Sequence, residues 1–185
     1  MTKFLLWSVL LIVVVSCKKE PLNQLPKATQ EGKNTAGFLV DGRAFTPHEA
    51  EGFGSGINPV NSTLRKTKAG RPLLEISMSD KRGGRQEGVG IGIVGIRQPG
   101  TYVLNEVPAP TLGDLGPGDL VYYSDQIDPL AKFYSGPETP ATIVITRFDT
   151  INNIVSGTFE ASPREVGGTR IVHLTHGRFD IRFTR

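Results

Sequence analysis

The chain has 185 residues, a single cysteine, three histidines and a formal net charge of +3. One cysteine excludes an internal disulfide and any zinc site built from several thiolates. A balance of 21 basic to 18 acidic residues is too slim to argue for nucleic acid.

Residues 4–16 make an apolar run of 13, broken by Ser8 and preceded by Lys3. A spanning helix needs about 20 apolar residues, and Pro21 stops a helix soon after. A basic start, a short apolar core and small residues at its end make a secretory signal. The run ends in Val14-Val15-Ser16-Cys17, which resembles the bacterial lipobox. That resemblance implies diacylglycerol on Cys17 and cleavage before it. The expected organisation is therefore a lipoprotein signal peptide over residues 1–16, lipidated Cys17 with a tether over 17–24, and one β domain over 25–185. An ordinary cleaved signal is the alternative, because Val14 and Ser16 also suit that cleavage. Without Lys3 the charge balance becomes 20 to 18, a net of +2.

Gly and Pro together make 35 of the 185 residues, well above the usual share of about 12%. With many β-branched residues and no helical periodicity, this excess predicts turns between strands. The expected fold is all-β and antiparallel, a sandwich or flattened barrel of about nine to eleven strands with no substantial helix.

Residues 25–37 read by composition as further linker. Residues 38–45 then carry a hairpin signal: Asp41-Gly42 suits a type I′ turn, pairing Val40 with Arg43, Leu39 with Ala44 and Phe38 with Phe45. Pro47 ends the second strand. A Gly-rich loop occupies residues 48–62. Residues 63–68 and 72–79 form a hairpin across Ala69-Gly70, with Leu74, Ile76 and Met78 sharing one face. Residues 87–96 alternate Gly88, Gly90 and Gly92 with Val89, Ile91 and Ile93. A phosphate-cradling loop would need a following helix, and Pro99-Gly100 intervenes. The glycines instead predict a strand with one bare face.

Residues 100–104 form a short strand, followed by a long irregular connection. Residues 119–124 and 131–135 predict a strand pair bearing Tyr122, Tyr123, Phe133 and Tyr134, the candidate ligand surface. One ring of each neighbouring pair faces inward and one outward. Residues 141–148 and 154–162 make the next hairpin. Residues 169–175 and 178–184 read as a last hairpin about His176-Gly177. Treated so, His173 opposes Asp180, and the turn explains the switch of apolar positions from Val172 and Leu174 to Phe179 and Ile181. His176 would take positive φ.

Two sets of residues carry a family resemblance. Leu25-Pro26, Ala28-Thr29-Gln30, Gly32, Asn34-Thr35 and the Val40-Asp41-Gly42 hairpin lie near the start. Residues 146–149, Ser156-Gly157-Thr158-Phe159-Glu160 and residues 177–183 lie near the end. Both sets resemble a group of uncharacterised Bacteroidota lipoproteins. The resemblance covers about a third of the chain and leaves residues 49–140 unmatched. It implies an exported, lipid-anchored β domain onto which residues 25–37 pack. It brings no site residues. Lys18-Lys19-Glu20 also resembles the surface-export signals of these bacteria.

Little catalytic chemistry is legible. His173 and His176 have poor spacing for a shared metal. Asp114 with Asp119, and Asp125 with Asp128, lack the alternation calcium needs. No nucleophile elbow is present. Seven basic residues fall within 65–85 and six acids within 106–138, expected as solvated faces. No catalytic, cofactor-binding or metal residue is assigned. The expectation is a non-catalytic envelope lipoprotein held at the outer membrane by Cys17, binding an unknown protein or glycan and no nucleic acid. A structural subunit of an outer-membrane assembly is the alternative, and a glycan-acting enzyme is third.

Overall fold

The computed structural model describes residues 21–48, 58–82, 87–106, 120–125 and 131–185. Cys17, residues 1–16 expected as a signal peptide, and Asp114, Asp119 and Asp128 lie outside the described residues. A single 3₁₀ turn, Pro21–Gln24, falls within the stretch expected as tether. Among the described residues no helix is long and apolar enough to cross a membrane.

Twelve strands lie among the described residues, in chain order β1 (Thr35–Val40), β2 (Arg43–Phe45), β3 (Val60–Lys66), β4 (Pro72–Asp80), β5 (Glu87–Val94), β6 (Gly100–Leu104), β7 (Leu120–Ser124), β8 (Lys132–Tyr134), β9 (Ala141–Asp149), β10 (Ile154–Ala161), β11 (Arg164–Glu165) and β12 (Leu174–Arg182). They form two six-stranded antiparallel sheets. Sheet A runs β2-β1-β12-β10-β9-β6, and sheet B runs β11-β8-β7-β5-β4-β3. The all-β expectation holds, as a sandwich of two sheets not closed into a barrel.

Period-2 alternation builds the core. From sheet B, β4 sends in Leu74, Ile76 and Met78, and β5 sends in Val89, Ile91 and Ile93. From sheet A come Phe38, Ile143, Val155, Phe159, Phe179 and Ile181. Burying each such side chain contributes about 1.5–3 kcal/mol. Phe38 stacks on Phe45 at 4.3 Å between centroids and meets Phe159 at 5.5 Å. The first hairpin has the expected register, with Asp41 at φ 47° and Gly42 at φ 80°.

The chain end differs from the expected hairpin. His176-Gly177 is not a turn; it lies inside β12, one continuous strand between β1 and β10. Two steps on β10, Phe159 to Ala161, oppose three on β12, Gly177 to Leu174. β1 shows the same offset. β12 therefore carries a β-bulge at His176, which sits at φ 54°. One extra residue reverses which face later side chains take. The bulge is what lets Leu174 and Phe179 both point inward. It also moves Asp180 away from His173: Asp180 pairs with Ser156 and Thr35.

Close packing explains two glycines of sheet A. A Cβ on Gly177 would lie 2.5 Å from the Phe159 ring. One on Gly157 would lie 2.4 Å from the Val144 carbonyl oxygen.

Candidate functional site

Residues 25–34 cross the outer face of sheet A as a strap, the packing that the resemblance implied. Leu25 is buried, and Leu25 and Pro26 lie where a Gly37 side chain would project. Arg178 donates to the Pro26 carbonyl at 3.3 Å, and Arg147 donates to the Gln30 carbonyl. Asn34 closes the strap, its side-chain oxygen accepting the Arg182 amide at 2.8 Å.

Asp180 clasps the middle of this strap. Its carboxylate accepts from Thr29 Oγ1 at 2.6 Å and from the amides of Glu31, Gly32 and Lys33 at 3.0, 2.7 and 3.3 Å. Ser156 Oγ adds a fifth bond at 2.8 Å. Asp180 is only 1% exposed. Burial raises its pKa, but the donors outweigh that and hold it at about 2. Donors converging on an ionised carboxylate favour the charged form.

Beside the strap is a groove of about 440 Å³. Ala28 of the strap forms one wall. Thr142, Val144, Thr158, Glu160, His176 and Arg178 of sheet A line it as well, with Phe159 and Gly177. Register explains the grouping: Thr158 pairs with Val144 and with Arg178, and Glu160 pairs with Thr142. Val103 pairs with Thr142 and is 56% exposed, so the apolar floor continues onto β6. The groove's lining thus includes two threonines, a glutamate and a histidine beside the apolar Val144.

His176 faces this groove from a left-handed backbone conformation, which costs a side-chain-bearing residue roughly 1–2 kcal/mol. His176→Gly is therefore expected to raise the melting temperature by about 2–8 °C. Thermal unfolding followed by circular dichroism checks this, and a fall in the melting temperature contradicts it.

The sequence-predicted aromatic surface divides in two. Tyr123 and Phe133 are both 2% exposed and pack in the core, their rings 5.8 Å apart. Tyr122 and Tyr134 are half-buried on the outer face of sheet B, with centroids 5.1 Å apart and planes tilted by 40°. Tyr122 pairs with Gly90 on β5, so the bare glycine row runs beside the two rings. Burial first, then Tyr122, raises the Tyr134 pKa.

Tyr123 has a structural task. Its hydroxyl donates to Glu87 at 2.7 Å, and Arg43 donates to the same carboxylate oxygen at 2.5 Å. Arg43 belongs to sheet A and Glu87 to sheet B, so the cluster ties the layers together. Burial, then the Glu87 hydrogen bond, push the Tyr123 phenol far above the ordinary tyrosine range.

The histidines do not converge. The His173 amide donates to Asp41, and the His173 ring meets Ser162 at 3.1 Å. His173 and Asp180 form no pair, because the bulge replaces the expected turn. Among the described residues, no three His, Cys, Asp or Glu side chains gather as a metal site. In the basic stretch Arg65 pairs with Glu75 and Arg82 with Asp80, and Glu138 of the acidic stretch pairs with Arg164 on β11.

Sequence reasoning missed the groove. Its one available signal was Val144 and Val103, apolar residues at outward positions of their strands. Fold and site together define an antiparallel β-sandwich with one strapped, grooved face. No family model, curated protein or solved structure matches the chain.

Proposed function

We propose that this chain is a lipid-anchored envelope domain that binds its ligand without catalysis, in the groove between the strap and sheet A. The Bacteroidota lipoprotein resemblance supports the envelope setting, and the lipobox-like residues 14–17 support an anchor on Cys17 at the outer membrane. The single observation behind the binding role is the groove itself, where Thr142, Thr158, Glu160 and His176 line the space beside Val144. Binding sites combine an apolar floor with a few placed polar groups.

Two experiments test this. Cys17→Ser is expected to move the protein from the membrane fraction to the soluble fraction; a membrane-bound serine variant contradicts the anchor. For the groove, thermal shifts are measured with peptidoglycan fragments, lipopolysaccharide oligosaccharides and short peptides. A shift seen in the native protein is expected to vanish in Val144→Lys, which crowds the floor from an exposed position.

The half-buried Tyr122–Tyr134 pair favours a second reading, in which a sugar ring stacks on the outer face of sheet B. A shift that survives Val144→Lys but is lost in Tyr122→Ala supports it. No shift with any probe favours the accessory-subunit role.

A further inference from the structure

We infer that the β2 edge of sheet A, the edge carrying the exposed Leu22, faces the lipid bilayer. This rests on the anchoring of Cys17 proposed above and adds an orientation to it.

The first described residues lie close to Cys17 in the sequence. The Leu25 amide bonds to the Leu22 carbonyl at 3.3 Å, closing the Pro21–Gln24 turn, and Leu25 is buried. That turn packs against β2. Only Lys18, Lys19 and Glu20 separate Cys17 from Pro21. Covalent geometry limits the reach from Cys17 to Pro21 to about 14 Å, at roughly 3.5 Å per residue. The opposite edge of the sheet, β6, is five strand spacings from β2, about 24 Å at about 4.8 Å each. The lipid therefore holds one edge of the sandwich, and its tether is shorter than the sheet is wide.

The chemistry of that edge suits a membrane surface. Leu22 is 41% exposed, an apolar side chain five residues from the anchor. Lys18 and Lys19 favour anionic headgroups, and the Arg43 side chain on β2 is 54% exposed. Glu20 and the exposed Asp41 oppose them. The alternative pose lays the outer face of sheet A flat on the lipid. Charge does not separate the two poses, because Lys33, Arg147, Arg178 and Arg182 share that face with Glu31 and Glu160; the flat pose would, however, close the groove. In the edge-on pose the groove, centred on β9 and β10, stays three to four strand spacings from the bilayer edge, about 14–19 Å.

Single-site labelling tests this. Diacylglycerol occupies the Cys17 sulfur, so an introduced cysteine is the one thiol left to label. Leu22→Cys and Val103→Cys, each exposed in the native chain, are purified with their lipid and labelled with an environment-sensitive fluorophore. Each is reconstituted in phosphatidylethanolamine–phosphatidylglycerol vesicles carrying a headgroup quencher. At least threefold stronger quenching at position 22 than at 103 is the expected result. Equal quenching, or stronger quenching at 103, in protein whose acylation is confirmed by intact mass overturns the orientation alone. An intact mass without acyl chains overturns the anchoring and the orientation together.

Discussion

Asp180→Ala is expected to lower the unfolding free energy by about 3–5 kcal/mol, read from urea midpoints at constant slope. The carboxylate collects five hydrogen bonds, four from the strap and one from Ser156. Removing it leaves Ser156 Oγ without this acceptor in a buried position and frees the strap amides to seek water. The native contribution has a defined pH window. The Asp180 pKa falls from an ordinary 3.8 to about 2 on folding, so its stabilisation is fully present above pH 3.8. It is lost as the pH drops through 2. The difference corresponds to about 2 kcal/mol. The alanine cost exceeds this because deletion also orphans buried donors. The variant is therefore expected to show a flatter stability profile between pH 4 and 2. A profile parallel to the native one contradicts the clasp.

Gly157→Val is the second large effect, at about 3 kcal/mol or more. The new Cβ meets the Val144 carbonyl oxygen at 2.4 Å, and the Phe179 ring stands at 2.9 Å. The oxygen belongs to the neighbouring strand β9 and cannot rotate away as a side-chain tip would. Either β9 and β10 separate or their register shifts, and both break the β10 ladder at the centre of sheet A. Urea unfolding checks the magnitude, and a destabilisation below about 1 kcal/mol contradicts the packing described for β10.

Where structure is local, the sequence carried it. Asp41-Gly42 fixes a hairpin by backbone conformation alone, and its three predicted pairs are the observed ones. Alternation in residues 74–78 and 89–93 named the inward faces of β4 and β5. The His176-Gly177 misreading shows where local signals stop. A two-residue turn and a β-bulge both accept a left-handed residue, and both switch the apolar parity. Only the flanking strands decide between them. β1 lies some 140 residues earlier in the chain, and nothing near His176 announces it. Composition alone hid the strap for the same reason, and only the family resemblance implied its packing. Asp180 meets donors 147 to 151 residues away, while residues 25–34 read by themselves as polar linker. The aromatic surface was half legible. Strand alternation predicted one inward and one outward ring from each pair, without showing which tyrosine would serve the Glu87 cluster.

Both the groove and the proposed membrane-facing edge depend on residues 25–34 being fastened to sheet A. Hydrogen exchange of the Glu31, Gly32 and Lys33 amides at neutral pH measures that fastening directly. Protection of at least about 100-fold over unstructured rates, lost in Asp180→Ala, is the expected result. Exchange of all three amides at unstructured rates in the native protein would contradict a strapped sandwich.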